Sequence, residues 1–318
     1  MGKITDNTLS LKYITEYKDA YLHQLKGYLV KELAYCQNNS NEYTKITIEY
    51  IKEIITGLPG FANSDADVYD VHGYVKRDFK YNDFIEAYRL IKYQYSKYSN
   101  RNYSLVEGVY SSIVLEILKN QLTEVCHVLD CGCGPSRLTY ELSTFYKNAD
   151  FVLLDFSYLN LFFANKLLKR EGFLSIPSKS FGATDVEHIK IASKYVNKLS
   201  SYIFNLDNLS TDTFDYKFDI ITASHSINLL SDPLKTINTM TNMLKKGGLM
   251  VISDLLGWKE NRDVARRVFY NRESFFEKIS AIPGISVLHK ESGGPYCEEV
   301  NAERYDIYTN HFIVLRRD

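Results

Sequence analysis

Residues 125–137 read Val-Cys-His-Val-Leu-Asp-Cys-Gly-Cys-Gly-Pro-Ser-Arg. The short apolar run at 125–129 favours a buried strand. Gly132 and Gly134 favour a tight turn whose backbone a ligand can approach closely. Residues 138–145 then have the pattern of a helix. Because ligands of open α/β sheets bind beyond the carboxyl ends of the strands, this stretch predicts a strand, a ligand-binding loop and a helix.

The apolar pattern beyond residue 125 predicts a doubly wound α/β fold. Continuous apolar runs alternate with helical stretches, as expected for parallel strands that are buried on both faces. These runs lie at 125–129, 151–154, 202–204, 218–223 and 249–253. Two later runs, 285–288 and 311–315, predict a closing antiparallel pair. We therefore expect a mostly parallel, seven-stranded Rossmann-like sheet with an antiparallel last strand.

The chain before this region predicts a separate helical unit. Apolar residues recur at helical spacing, and residues 58–80 hold the Gly, Pro, Asn and Asp typical of a loop. We expect a helical N-terminal cap at 1–103, which shapes the substrate site, and a catalytic domain at 104–318. An extra helix is predicted near 185–199, inside the catalytic domain.

Composition narrows the class of partner. The 318 residues include 24% charged residues and have a net charge of −1, which is not the basic footprint of a nucleic-acid-binding protein. No apolar run approaches the roughly 20 residues of a membrane span, and the N-terminus lacks an apolar signal segment. Five scattered cysteines suggest reduced thiols rather than a metal site. We expect a cytoplasmic protein without nucleic-acid, membrane or metal partners.

The loop discriminates between two cofactors. A nicotinamide dinucleotide favours Gly-x-Gly-x-x-Gly, but Arg137 occupies the third glycine position. The acidic Asp130 suits a cationic amino group better than a pyrophosphate, and Arg137 suits a carboxylate, so a methionine moiety fits. Asp155 ends the next strand and can accept hydrogen bonds from ribose hydroxyls. A nicotinamide-dependent oxidoreductase and a non-catalytic cofactor-binding scaffold remain alternatives.

The glycine loop and Asp155 resemble the motifs of class I S-adenosylmethionine-dependent methyltransferases. Two later segments share this resemblance: Phe218-Asp-Ile-Ile-Thr-Ala-Ser224 and Leu244-Lys-Lys-Gly-Gly248. The resemblance implies S-adenosylmethionine as cofactor. It places Phe156, Asp207 and Asn208 beside the adenine and Ser224 near the sulfonium. The implied cofactor-binding residues are Asp130, Gly132, Cys133, Gly134, Arg137, Asp155, Phe156, Asp207, Asn208 and Ser224.

A narrower resemblance concerns the acceptor. Residues 107–120, 134–141, 155–161 and the tail 294–317 are similar to the carnosine N-methyltransferase family and the methyltransferase domain of ovothiol synthase. Those relatives methylate imidazole nitrogens of histidine-derived small molecules. The resemblance implies a small-molecule acceptor methylated at nitrogen, and an oxygen or peptide acceptor remains open. The polar residues that we expect to line the acceptor site and carry catalysis are His225, Asp254, Tyr305 and Tyr308.

Overall fold

The computed structural model describes residues 68–70, 105–179, 186–256, 268–301 and 304–318, together with the single residues 30, 34, 37 and 38. Most of the predicted helical cap at 1–103 lies outside these residues. The domain boundary after residue 103 therefore stays a prediction.

The described residues contain ten strands, β1–β10 in chain order, and eight of them form one sheet. Their bounds are β1 Val68–Asp70, β2 His127–Cys131, β3 Asp150–Asp155, β4 Lys169–Lys179, β5 Val186–Tyr195, β6 Leu199–Ile203, β7 Phe218–Ser224, β8 Leu244–Asp254, β9 Ile285–Asn301 and β10 Arg304–Arg317. The main sheet has the order β1-β6-β3-β2-β7-β8-β10-β9.

The predicted seven-stranded, mostly parallel sheet is confirmed. Strands β6, β3, β2, β7 and β8 pair in parallel, and β10 runs antiparallel to β8 and to β9. An eighth strand, β1, pairs in parallel with β6. The prediction of a loop throughout 58–80 is therefore wrong at Val68–Asp70, where the exposed edge of β6 supplies a pairing partner.

Helices cover both faces of the sheet. Helices α1 (Leu105–Gln121), α2 (Arg137–Phe145) and α3 (Tyr158–Leu168) contribute buried apolar side chains to one face. Helices α4 (Pro233–Met243) and α5 (Arg272–Ser280) contribute to the other. Successive strand residues alternate between these two apolar layers, so the central positions of β2, β3, β7 and β8 are buried on both faces. This explains why the strands are continuous apolar runs in the sequence.

The predicted helix near 185–199 is wrong, because β5 occupies Val186–Tyr195 and pairs antiparallel with β4. Residues 188–191, His-Ile-Lys-Ile, alternate polar and apolar side chains with the two-residue period of a strand. The β4–β5 hairpin contacts α2 through Tyr140, whose hydroxyl donates to the carbonyl oxygen of Ala192 at 2.8 Å. It is therefore an insertion between α3 and β6 that packs beside the main sheet.

Asp219 fixes the amino ends of the central strands. Its Oδ2 accepts the backbone N–H groups of Cys126 and His127, each at 2.8 Å, and its Oδ1 accepts Nζ of Lys245 at 2.9 Å. These bonds join the beginnings of β2, β7 and β8. The carboxyl ends of the same strands then lie side by side at the opposite edge of the sheet.

Within the described residues, no helix is both long and apolar enough to span a membrane.

Candidate active site

The glycine loop after β2 is built from residues with left-handed backbone. Gly132, Gly134 and Ser136 have φ values of 66°, 53° and 61°. A Cβ atom at Gly132 would lie 2.3 Å from the Cβ of Ser226, in the loop after β7. The Ser226 hydroxyl donates to the carbonyl oxygen of Cys131 at 2.9 Å. Glycine is therefore required at position 132 because the loop after β7 lies against its backbone, whether or not a ligand also approaches it.

Asp130 is buried at the end of β2, where it joins three elements. Its Oδ2 accepts the hydroxyl of Thr139 on α2 at 2.7 Å, and its Oδ1 accepts the hydroxyl of Thr222 on β7 at 2.8 Å. Burial raises the pKa of Asp130 to about 6, although the two hydroxyl groups act in the opposite direction. The carboxyl group therefore anchors the base of the loop, and its contact with a ligand amino group stays a prediction.

Asp155 joins the glycine loop to the end of β3. Its Oδ2 accepts the N–H of Gly134 at 2.8 Å. Its Oδ1 accepts the N–H of Ser157 at 2.7 Å and the side-chain amide of Asn160 at 3.2 Å. The structure therefore brings Asp155 and the loop together, as the predicted cofactor site requires.

Three more predicted cofactor residues lie around this loop. The Phe156 side chain is 38% exposed, so the end of β3 offers a flat apolar ring to a planar ligand. Arg137 forms an ion pair with Glu141, one turn later on α2. Cys133 is buried, and this burial raises the pKa of its thiol well above its usual range. The thiol is therefore not a nucleophile at neutral pH.

The predicted adenine-binding residues Asp207 and Asn208 belong to a short 3-10 helix, Leu206–Asn208, after β6. The Asp207 carboxylate accepts the N–H of Ser231 at 2.8 Å and its hydroxyl at 2.9 Å. Asp207 thus joins the loops after β6 and β7. Its contact with adenine stays a prediction.

His225 follows Ser224, the last residue of β7, and has a φ of 54°, which is uncommon for a residue other than glycine. Its N–H donates to the carbonyl oxygen of Ser253 at 2.8 Å. Its Nε2 lies 3.1 Å from Oδ1 of Asn310 on β10. Because an amide oxygen only accepts hydrogen bonds, Nε2 is the donor in this contact.

Asp254, the last residue of β8, is fully buried. Its Oδ1 accepts the N–H of Leu256 at 2.8 Å, whereas Oδ2 has no hydrogen-bond partner among the residues that the structure describes. Burial raises the pKa of Asp254 to about 7, and nearby backbone N–H groups act against this rise. The neighbouring Ser253 hydroxyl and the Asn228 amide oxygen are also buried and lack partners within the described part of the chain. The end of β8 therefore concentrates unsatisfied polar groups.

The two predicted tyrosines lie on β10 beyond the end of β8. His311 is the residue of β10 opposite Asp254, and Tyr308 precedes it on the part that pairs with β9, opposite Tyr296. Tyr308 is half-buried, and the side chain of Tyr305 lies outside what the structure describes. His225, whose N–H bonds to Ser253, and Asp254 both lie at the end of β8, while the roles of both tyrosines stay predictions.

Several polar residues at this edge were not among the predicted site residues. Thr139, Thr222 and Asn310 carry no local signal, because only the packing of α2 and the pairing of β10 place them beside Asp130 and His225. Asn160 belongs to the motif Asp155-Phe-Ser-Tyr-Leu-Asn160, so its spacing from Asp155 at the start of α3 was a usable signal.

The arrangement fits S-adenosylmethionine. The end of β3 provides the Asp155 carboxylate and the exposed ring of Phe156 beside the glycine loop. Within the same part of the chain, no cluster of three or more His, Cys, Asp or Glu side chains is arranged to hold a metal ion.

The family model described as "Methyltransferase domain" matches residues 122–281. Similar solved structures include the N-methyltransferase NodS from Bradyrhizobium japonicum WM9 in complex with S-adenosyl-L-homocysteine, at 16% identity and a TM-score of 0.43, covering 66% of this chain and 87% of that one. A SAM-dependent methyltransferase from Aquifex aeolicus has 16% identity and a TM-score of 0.40, covering 64% and 89%. Precorrin-6y C5,15-methyltransferase from Geobacter metallireducens GS-15 has 13% identity and a TM-score of 0.40, covering 65% and 88%. No curated protein matches by sequence.

Proposed function

Since this chain belongs to the methyltransferase domain family and is a class I S-adenosylmethionine-dependent methyltransferase, we propose that it methylates a nitrogen atom of a small molecule, an imidazole or another histidine-derived compound. The observation that carries the proposal is Oδ2 of Asp254, a buried acceptor without a donor among the described residues. Leaving such an atom unsatisfied costs about 1–3 kcal/mol. A donor on the bound acceptor molecule would remove this cost.

An imidazole supplies the required donor. Its N–H can donate to Oδ2 of Asp254 while the lone pair of its other nitrogen points away from the carboxylate. When bound, S-adenosylmethionine would supply a methyl group on a positively charged sulfur. A nucleophile in line with the carbon–sulfur bond takes the methyl group, and the sulfur leaves as a neutral thioether. Asp254 would hold the ring so that its lone pair meets that methyl group, and such positioning lowers the barrier.

The pKa of Asp254 also suits the chemistry. A carboxyl group with a pKa of about 7 is partly ionised at neutral pH and can take the proton that the methylated nitrogen heterocycle releases. His225, whose Nε2 lies 3.1 Å from Oδ1 of Asn310, is a second titratable side chain at this edge. Tyr305 and Tyr308 complete the proposal as residues that line the acceptor site.

A hydroxyl acceptor is the second candidate, because an O–H group would also donate to Asp254. A metabolite extract incubated with the protein and methyl-deuterated S-adenosylmethionine separates the two. We expect one small molecule to gain a single labelled methyl group, located on nitrogen by NMR. A label on oxygen would support the second candidate, and a label confined to peptides would contradict a small-molecule acceptor.

His225→Ala tests the proposed role of His225. We expect the variant to bind S-adenosylhomocysteine with unchanged affinity and to turn over at least about tenfold more slowly. His289→Ala is the matched control, since that histidine is half-buried on β9 and pairs with Glu291 at 3.0 Å. An equal loss of cofactor affinity in His225→Ala would place the residue in the cofactor site instead.

A further inference from the structure

The hydrogen-bonding capacity of Asp155 is nearly used within the protein. An ionised carboxylate offers about four acceptor sites. Three are taken by the N–H groups of Gly134 and Ser157 and by the side-chain amide of Asn160. At most one site is then left for a ligand. The ribose of S-adenosylmethionine presents two hydroxyl donors, so Asp155 alone cannot accept both with good geometry.

Asn160 supplies a second acceptor beside the first. The residue is 8% exposed, at the start of α3, and its Nδ2 donates to Oδ1 of Asp155 at 3.2 Å. Its own Oδ1 is buried and has no partner among the residues described. The orientation of the amide is determined, because turning it over would place its oxygen against the carboxylate oxygen. The unsatisfied atom is therefore an acceptor held next to Asp155.

We propose that Asn160 is a cofactor-specificity residue, whose Oδ1 accepts the ribose hydroxyl that Asp155 cannot. The proposal rests on the assignment of Asp155 to the ribose and is independent of the methyl acceptor. It explains why a buried amide at the start of α3 leaves one of its two polar atoms unsatisfied in the protein alone. Asp155 and Asn160 would then divide the two hydroxyls between them, one each.

The test is calorimetric titration of S-adenosylhomocysteine and of its 2′-deoxy and 3′-deoxy analogues into the full-length protein and its variants. Asn160→Leu removes the acceptor, and Asn160→Ser is a smaller change in case the first variant fails to fold. Asn165→Leu is the matched control. That asparagine lies one turn later on α3, is 1% exposed, and donates to Leu161 and Ser201.

In the wild-type protein, we expect each deoxy analogue to bind about three- to tenfold more weakly than the parent, as for loss of one hydrogen bond. In Asn160→Leu and Asn160→Ser, one of the two deoxy analogues should bind about as tightly as S-adenosylhomocysteine does to the same variant. The other analogue should still bind more weakly, as in the wild type. Asn165→Leu should keep both penalties. Two unchanged penalties in both Asn160 variants would overturn the proposal, as would the same loss in Asn165→Leu. Because no methyl acceptor is present, neither result depends on the proposed nitrogen substrate.

Discussion

Two buried carboxyl groups, Asp130 in β2 and Asp254 at the end of β8, lie near the carboxyl ends of two strands that β7 separates, and their environments differ. Both oxygens of Asp130 accept hydroxyl hydrogen bonds, whereas Asp254 has one oxygen without a partner in the described part of the chain. The pKa of both is raised by burial, to about 6 and about 7. At the scale of single residues, Asp130 is therefore a structural anchor, and Asp254 is the group that we propose receives an acceptor molecule.

The pKa of Asp254 predicts how stability depends on pH. The folded state binds this proton more tightly than the unfolded chain, in which an aspartate titrates near about 4. The contribution of Asp254 to the free energy of unfolding therefore decreases as pH rises from about 4 to about 7, and is constant above. Asparagine does not titrate, so Asp254→Asn removes this dependence. The free energy of unfolding of the variant minus that of the wild type should therefore be about 2 kcal/mol more favourable to the variant at pH 8 than at pH 5. Urea unfolding at both pH values measures this difference.

The comparison is made as a difference between variant and wild type, so the titration of other carboxyl groups cancels. Asp150→Asn is a suitable control, because Asp150 is half-buried and pairs with Lys198 at 2.9 Å. A stability difference for Asp254→Asn that is the same at pH 5 and pH 8 would contradict the raised pKa.

Gly132 gives a second prediction at this scale. Gly132→Ala places a methyl group 2.3 Å from the Cβ of Ser226 and forces alanine to a φ of 66°. Gly284→Ala is the control, since its φ is 76° but no atom lies within 4 Å of the new methyl group. We expect a loss of about 1 kcal/mol for Gly284→Ala from the backbone conformation alone, and at least about 2 kcal/mol more for Gly132→Ala.

Denaturant unfolding measures both losses. Replacing Ser226 by Gly in the Gly132→Ala background removes the colliding atoms and should recover part of the stability. Equal losses at Gly132 and Gly284 would show that the close approach of the two loops is not a constraint on the fold.

At the scale of elements, the β4–β5 hairpin contacts the rest of the domain through both α2 and α3. Tyr140 donates its hydroxyl to Ala192, and Lys194 lies over the Tyr140 ring at 3.7 Å from its centroid and donates to the Tyr140 carbonyl oxygen at 3.0 Å. The hairpin pairs with itself and not with the main sheet. Its position therefore depends on the bonds to Tyr140, on the packing of both strands against α3 and on the buried Ile191.

Tyr140→Phe should loosen the hairpin without unfolding the domain. Loss of one hydroxyl hydrogen bond costs about 1 kcal/mol, so amide hydrogens of β5 should exchange about fivefold faster. Tyr146→Phe is the matched control, because the Tyr146 hydroxyl donates to Leu122 at 3.2 Å, away from the hairpin. Hydrogen exchange read by mass spectrometry compares the two, and unchanged β5 exchange in Tyr140→Phe would contradict this account of how the hairpin is held.

Sequence patterns predicted the elements whose environment is uniform along the strand. Strands β2, β3, β7 and β8 are buried on both faces, so each is visible as an apolar run. The β4–β5 hairpin was missed as a strand pair because only part of β5 alternates clearly between polar and apolar residues, and because β4 includes a Pro and a Gly. Its identity depends on pairing between distant residues, which a local pattern does not contain.

For the molecule as a whole, the cofactor site was more predictable than the acceptor site. Asp155 and the glycine loop lie at strand ends, where sheet topology alone brings ligand-binding residues together. Asn310 reaches His225 only because β10 returns antiparallel beside β8, and Asn228 lies in the short 3-10 helix Ile227–Leu229 after β7. Such contacts follow from register and loop packing, so the sequence names the cofactor more readily than the acceptor.

The central claim is that the loop at 130–137 and Asp155 bind S-adenosylmethionine, and calorimetric titration tests it most directly. We expect S-adenosylmethionine and S-adenosylhomocysteine to bind at one site per chain and NAD to give no binding heat. Asp155→Ala should weaken S-adenosylhomocysteine at least about tenfold, because the ribose loses its carboxylate partner. Absence of S-adenosylmethionine binding by the folded wild-type protein, or equal affinity in Asp155→Ala, would contradict the account.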